Sequence, residues 1–217
     1  MAKAELVKSV HEAKAGSKER KFKESLELAI NLKDIDLSDP KNRINDEILL
    51  PKGRGKPIRV AVIGSDEMKS KVRTVADQII GAEEISGFAE KKKDFKKVAT
   101  GIDFMIAEST LMATVGKSLG QVLGPRGKMP KPLPPGQDPT PMINNLKKTV
   151  RARTRDKKTF HVPVGTKEMT DEEIADNVSA VVKRIISKLD KGDSNIASIF
   201  LKTTMGKPVK INVGDAQ

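Results

Sequence analysis

Side chains able to do chemistry are few in this 217-residue chain, and their spacing favours binding over catalysis. There is no cysteine, so disulfides and thiolate metal ligands are excluded. The two histidines, His11 and His161, lack neighbours at the spacing of a metal site, and no nucleophile has an evident base partner. The sequence therefore predicts a protein that is not an enzyme, with no catalytic residue, no metal and no cofactor.

A different kind of candidate lies near the C-terminus, in the stretch FLKTTMGKPV at residues 200–209. It begins as a strand and then presents two threonines, Met205 and Gly206 before the next lysine. Threonine hydroxyls are directed donors and acceptors, and a glycine lets another backbone or a ligand approach closely. A tight turn between two strands explains the same residues, so the stretch alone does not decide between a binding site and a turn.

A second candidate is the segment GPRGKMPKPLPPG at residues 124–136, which carries three glycines and five prolines around Arg126, Lys128 and Lys131. Such a segment is a stiff cationic loop, and we expect few of its backbone donors to be used in helix or strand. Contact with a polyanion or partner and an ordinary long connection both remain open.

The charge of the chain indicates what these segments would bind. The net charge is +12, the isoelectric point is about 9.7, and the excess of basic residues is spread over the whole length. A basic body attracts nucleic acid. With no Trp, no Tyr and six Phe, the chain offers few rings for stacking unpaired bases, so a folded RNA is the expected target. No apolar run has the length of a membrane span or a signal peptide, so we expect no membrane partner and a cytoplasmic location.

The elements that would position these residues follow two patterns. Residues 22–32 and the segments after residue 148 alternate with the period of half-buried strands, whereas residues 58–147 alternate strand with helix. In the middle segment we predict a helix over residues 65–82 that includes Ile79 and Ile80, and a short strand over residues 83–87. A later helix should begin at Thr170 as its N-cap.

These patterns predict an α/β protein of two domains. Residues 1–58 and 148–217 should form a split α+β domain with an antiparallel sheet, and residues 59–147 an inserted, Rossmann-like parallel α/β domain. The alternative is a nucleotide-binding enzyme that uses the middle domain, because Gly64 follows a buried strand there. The segment after Gly64 lacks the G-x-G-x-x-G spacing, and GPRGKMPKP lacks the Walker order, so neither known phosphate loop is present.

Four segments, KFKESLELAINL, GPRGKMPKP, KTFHVPVG and TTMGKPVKIN, occur in this order, and with them the chain resembles the L-one family of large-subunit ribosomal proteins in its archaeal form. The resemblance covers essentially the whole chain. It implies the two-domain fold and a structural place on the ribosome, at the lateral stalk, where the protein binds a folded region of large-subunit ribosomal RNA. It further implies contact with outgoing deacylated tRNA and repression of its own messenger RNA through a similar RNA fold. The free protein is expected to be a monomer.

The resemblance also assigns RNA contacts to positions of this sequence. Ser25 stands where the family often has Thr, so the hydroxyl is kept. Glu27 is expected to accept hydrogen bonds from RNA, and Met205 to offer an adaptable apolar surface. If Gly206 lies on the surface, enlarging it should weaken RNA binding and leave the thermal midpoint nearly unchanged. The RNA-binding positions are Lys21, Phe22, Ser25, Glu27, Asp156, Lys157, His161, Ser198, Thr204, Met205 and Gly206, with Arg126, Lys128 and Lys131 as a secondary contact to RNA or tRNA.

Overall fold

The computed structural model describes residues 2–154 and 156–216, and these form two compact units. The outer unit joins the residues up to Lys56 with those from Lys148 onward, and the inserted unit is Pro57–Lys147. Ile58 is buried in the core of the inserted unit beside Val60, so the division falls after Lys56 and not after residue 58 as expected. The mixed α/β class is confirmed, with one antiparallel sheet from both terminal segments and one parallel sheet from the middle.

Helices and strands are numbered here along the whole described chain. They are α1 Ala2–Ala15, β1 Ser25–Leu32, β2 Asn45–Leu49, β3 Val60–Gly64, α2 Asp66–Val72, β4 Gln78–Gly81, α3 Glu84–Glu90, α4 Lys92–Gly101, β5 Phe104–Glu108, α5 Met112–Leu123, β6 Lys131–Leu133, α6 Thr140–Leu146, β7 Thr149–Arg153, β8 Thr159–Thr166, α7 Asp171–Ile186, β9 Ile196–Thr203 and β10 Val209–Ile211.

The main sheet of the outer unit has the strand order β10-β9-β1-β8, and every neighbouring pair is antiparallel. Strand β1 lies inside it and alternates as its sequence predicts, with Leu26, Leu28 and Ile30 buried. These side chains share one apolar core with residues of α1 and α7, such as Leu6 and Val178. Both helices therefore pack on the same face of the sheet. Strands β2 and β7 form a separate antiparallel pair.

Helix α7 begins where the sequence predicts. The Thr170 hydroxyl accepts from the Glu173 backbone N–H, and the Glu173 carboxylate accepts from the Thr170 N–H, which completes a capping box.

In the second turn of α7, the fully buried Asn177 holds the start of the first connector between the units. Its amide donates to the carbonyls of Gly53 and Val164, and its oxygen accepts from the Lys52 N–H. Gly55, at φ 73°, leaves no room for a Cβ beside Thr166. The connector is thus fixed to the outer unit up to this point.

The inserted unit has a four-stranded parallel sheet in the order β4-β3-β5-β6. The helix predicted over residues 65–82 ends at Val72, and Ile79 and Ile80 belong to strand β4. The prediction is wrong there because a short apolar run fits a buried parallel strand as well as a helix face. The strand predicted over residues 83–87 is also wrong, since this segment begins helix α3. The segment at residues 124–136, expected as loop, contains the three-residue strand β6.

Candidate nucleic-acid interface

The face of the main sheet opposite α1 and α7 carries a mixed polar surface. Along β1 this face presents Glu27, Ala29 and Asn31, all partly exposed. The strand registers place residues of the neighbouring strands beside them. We call this surface the open face, and it is formed by Glu27, Ala29, Asn31, Thr159, His161, Pro163, Ser198, Phe200, Lys202 and Lys210.

At one end of the open face, three side chains are hydrogen-bonded across three strands. The Asn31 amide donates to the Ser198 hydroxyl at 2.8 Å, and the Thr159 hydroxyl donates to the Asn31 amide oxygen at 2.7 Å. Such cross-strand contacts hold the side chains in one orientation. Ser198, a predicted contact, is therefore presented on a fixed row of polar groups.

The centre of the open face combines a carboxylate with basic and aromatic groups. Glu27 lies opposite Lys202 in the register with β9, and its carboxylate is 3.9 Å from the His161 ring nitrogen. Phe200 lies opposite Ala29 and is partly exposed, so its ring borders the face. This arrangement offers a hydrogen-bond acceptor, the Lys202 cation, an imidazole and one apolar ring to a polyanionic ligand that has ribose and base edges.

The turn between β9 and β10 lies at the other end of the face and differs from expectation in two residues. Thr203 is fully buried, so its hydroxyl is not offered to a ligand. The Thr204 hydroxyl donates to the Ser25 carbonyl and accepts from the Ser25 N–H, which extends the pairing of β1 beyond its last regular partner. What the turn exposes is the Met205 side chain, with 64% of its surface accessible.

Gly206 has a packing reason that the sequence does not show. A Cβ at this position would lie closer than 3.0 Å to the Thr203 hydroxyl, inside the outer unit. The φ angle of Gly206 is outside the left-handed region, so space and not backbone conformation requires glycine. This geometry argues against the expectation that Gly206 can be enlarged without cost to folding.

The root of this turn is a buried carboxylate that the sequence analysis did not single out. Glu24 is 2% exposed, and it accepts from the Ser17 hydroxyl, the Arg20 guanidinium and the Met205 N–H. Burial alone would raise the pKa of Glu24, but these bonds and the charges of Arg20 and Lys167 outweigh it and hold the pKa below the ordinary value of 4.5. The alternation of β1 places position 24 on the same side as Leu26 and Leu28, which indicates burial, but it does not indicate which groups Glu24 bonds.

The remaining predicted residues of the outer unit border the open face at both ends. Strand β1 begins at Ser25, so Phe22 lies before it and is 52% exposed. Lys21 is exposed in the same segment. Asp156 and Lys157 are exposed in the loop that leads into β8, near the Asn31 end. From Ser25 to Asn31 the strand covers roughly 20 Å, which is the length over which the predicted contacts are spread.

The secondary contact residues all lie in the inserted unit. The Arg126 guanidinium donates to the Val122 carbonyl at 3.0 Å. The Lys128 ammonium donates to the carbonyls of Ala99 and Ile102, at the C-terminal end of α4, so it caps that helix. Lys131 lies at the start of β6 and is partly exposed. Lys128 thus has a structural use that the sequence analysis did not foresee.

The geometry of the inserted unit disfavours the alternative of a nucleotide site. In open parallel sheets such sites lie where the strand order reverses, here beyond the ends of β3 and β5. At that point the Ser65 N–H donates to the Glu108 carboxylate at 3.1 Å, so an anion of the protein already occupies the donor that a phosphate would use. Gly64 leaves room for Met68, whose Sδ would be 2.6 Å from a Cβ. Its role there is packing.

Over residues 2–154 and 156–216, His, Asp and Glu side chains form no group of three that would hold a metal ion. In the same part of the chain, helices of the length and apolarity needed to cross a bilayer are absent. Six residues of the open face and of the base of the Met205 turn were not among the predicted site residues. They are Arg20, Glu24, Asn31, Phe200, Lys202 and Lys210.

Comparison with known proteins gives a consistent set of relatives. The profile of the Ribosomal protein L1p/L10e family matches residues 11–207. The chain is 62% identical over 208 residues to the large ribosomal subunit protein uL1 of Thermoplasma acidophilum, which covers 96% of each chain. The protein of the same name from Picrophilus torridus is 59% identical over 202 residues, 93% of this chain and 94% of that one. The one from Pyrococcus abyssi is 44% identical over 207 residues, 95% and 94% of the two chains.

Proposed function

The chain belongs to the ribosomal protein L1p/L10e family, and from this premise we propose that it is a structural constituent of the large ribosomal subunit that binds a folded region of the subunit's RNA through its outer unit. The archaeal resemblance seen in the sequence is confirmed by relatives that share nearly the whole chain. Such a constituent acts in the cytoplasm, on the ribosome. The relatives carry ribosomal protein names and no enzyme name.

The observation that carries the proposal is the open face together with the Met205 turn. Among the described residues of the outer unit, the helices α1 and α7 pack on the other face of the sheet, and this face presents a carboxylate, a hydrogen-bonded amide, hydroxyls, two lysines, an imidazole and one apolar ring. Phosphates and 2′-hydroxyls need such groups, and a folded RNA can meet them over the roughly 20 Å of the strand. The exposed thioether of Met205 adds an adaptable apolar contact for a ribose or base.

The finer roles belong to the same proposal. We infer contact with deacylated tRNA near the exit site, helped by Arg126, Lys128 and Lys131 of the inserted unit, of which Lys128 also caps α4. We also infer repression of the chain's own messenger RNA. Both rest on the resemblance and on the polyanion-binding surface, because a messenger segment that folds like the ribosomal target would meet the same open face.

The test is equilibrium binding to deproteinised large-subunit ribosomal RNA from Thermoplasma acidophilum, with small-subunit RNA of the same organism as competitor. The wild-type chain should prefer the large-subunit RNA. Met205→Asp should weaken that binding by about 2–3 kcal/mol, because it places an unpaired anion against RNA.

Leu49→Asp provides the matched control, because Leu49 is also an exposed apolar residue of the outer unit, 51% accessible, but lies on β2 away from the open face. Its affinity for the RNA should equal that of the wild type. Equal losses in the two variants would contradict the assignment of the site, and equal affinity of the wild type for both RNAs would contradict the proposed function.

A further inference from the structure

Glu24 joins three segments of the outer unit at the base of the Met205 turn. Its Oε2 accepts from the Ser17 hydroxyl at 2.5 Å, at the end of α1. Its Oε1 accepts from the Arg20 guanidinium at 2.9 Å and from the Met205 N–H at 3.3 Å. Lys167, in the segment after β8, donates to Ser17 and, through its backbone N–H, to the Glu24 carbonyl. The carboxylate is therefore bonded to groups that are far apart in the sequence.

The pair formed by Glu24 and Arg20 holds both polar groups of the Met205 backbone. The N–H of Met205 donates to the Glu24 carboxylate, and the Met205 carbonyl accepts from the Arg20 guanidinium at 3.4 Å. Met205 lies between β9 and β10, outside the regular pairing of either strand. Only the Glu24 side of this ion pair is buried, since the Arg20 side chain is 26% exposed, and removing the partners of a buried carboxylate is costly. The Glu24–Arg20 pair therefore fixes the backbone of Met205, whose side chain is exposed to solvent.

We propose that Glu24, assisted by Arg20, is a positioning residue that fixes the Met205 turn in the conformation that contacts RNA. The inference rests on the proposed function, since it assigns Glu24 a role in the same site. Glu24 itself is 2% exposed, so it does not contact the RNA and acts through Met205. Because the turn is already ordered in the free protein, binding does not have to pay the conformational entropy of ordering it. The resulting gain in affinity is expected mainly as slower dissociation of the complex.

The central test is a double-mutant cycle of Glu24→Gln and Met205→Ala, with affinity for deproteinised large-subunit RNA from Thermoplasma acidophilum as the readout. Glutamine keeps the size of the side chain but has one acceptor oxygen, so either the Ser17 side or the Arg20 and Met205 side loses its acceptor. Glu24→Gln should weaken binding about tenfold in the wild-type background and less than about threefold when Met205 is already alanine. The loss should be mainly in the dissociation rate.

A second readout uses the free protein without RNA. Hydrogen exchange at the Met205 amide should become faster in Glu24→Gln and also in Arg20→Gln, a change in a partly exposed side chain that leaves the apolar core intact. Glu19→Gln is the matched control, because it removes the same charge from an exposed glutamate in the same segment. Its exchange rate and its RNA affinity should remain those of the wild type.

The outcomes separate this inference from the proposed function. Equal losses of affinity in both backgrounds, or unchanged exchange at the Met205 amide in both Glu24→Gln and Arg20→Gln, would overturn the positioning role alone. A wild-type chain that does not prefer large-subunit RNA would overturn the proposed function, and a Met205→Ala variant of unchanged affinity would overturn the assignment of the RNA site. Either result would also remove the RNA role of Glu24. Non-additive losses with faster exchange would support the positioning role.

Discussion

Gly206→Ala should destabilise the folded outer unit, although the residue lies in a surface turn. The added methyl would lie closer than 3.0 Å to the hydroxyl of Thr203, and the next neighbour, the Ser17 Cβ, is at 3.4 Å. Thr203 is fully buried, so its side chain has no solvent to move into. The clash must therefore be relieved by an unfavourable Thr203 rotamer or by a shift of the turn.

The magnitude follows from these two routes. A side chain forced about 30° from its rotamer costs about 0.5–1.5 kcal/mol, and overpacking in a buried site costs about 1–3 kcal/mol. We expect about 2 kcal/mol, because the Thr203 hydroxyl has no hydrogen-bond partner among the described residues and its rotation breaks no bond. In a chain of this size that loss lowers the melting temperature by about 4–8 °C.

Scanning calorimetry of the full chain measures the effect directly. Gly214→Ala is the matched control, since a Cβ at Gly214 meets nothing within 4 Å and the residue belongs to the same unit. Its midpoint should stay within about 1–2 °C of the wild type. In a Thr203→Ala background, Gly206→Ala should cost less than half as much, because the clashing hydroxyl is gone. A midpoint of Gly206→Ala equal to that of the wild type would refute the packing argument.

Three further predictions concern the frame and charge of the outer unit. Asn177→Ala should lower the free energy of unfolding in urea by about 2–4 kcal/mol, because it leaves buried groups of the connector and of β8 unpaired. An unchanged urea midpoint would contradict the role of Asn177 in holding the connector. Burial alone would raise the pKa of Glu24, but the hydrogen bonds from Ser17 and Met205 and the charges of Arg20 and Lys167 lower it. Its ionised form therefore stabilises the fold above the ordinary pKa, and this stabilisation is lost on acidification. Below about pH 5 the wild type should therefore lose stability more steeply than Glu24→Gln, and parallel acid-unfolding curves would argue against it. Lys210→Gln on the open face should reduce the salt slope of RNA affinity by about 0.7–0.9, whereas Lys8→Gln on α1 should leave it unchanged; equal slopes in both would place the phosphates elsewhere.

Local sequence patterns predicted the strand that carries the centre of the open face. The alternation along β1 gives the buried set Leu26, Leu28 and Ile30 directly, because one side of the strand packs on helices and the other does not. Thr170 was identifiable as an N-cap because a capping box leaves its residues at fixed spacing. The alternation along a strand therefore predicts which of its residues lie on the open face, once the strand is known to be in the main sheet.

The rest depends on contacts that are distant in the sequence. Ile79 and Ile80 occur at helical spacing, and only the register of β4 beside β3 makes them strand residues. Thr203 and Thr204 are adjacent and chemically alike, yet one is buried beside Gly206 and the other pairs with Ser25. Such differences in burial depend on contacts with residues distant in the sequence, so they cannot be predicted from the local sequence.

The central claim is that the outer unit carries the RNA site, and the most direct measurement is the affinity of each unit alone for deproteinised large-subunit RNA. The two units have separate apolar cores, so the outer unit should fold when Pro57–Lys147 is replaced by a short Gly/Ser linker. The account predicts that this protein binds the RNA within about tenfold of the full chain and keeps the preference over small-subunit RNA. The isolated inserted unit should bind weakly and equally to both RNAs. Specific, tight binding by the inserted unit, with none by the folded outer unit, would contradict the account.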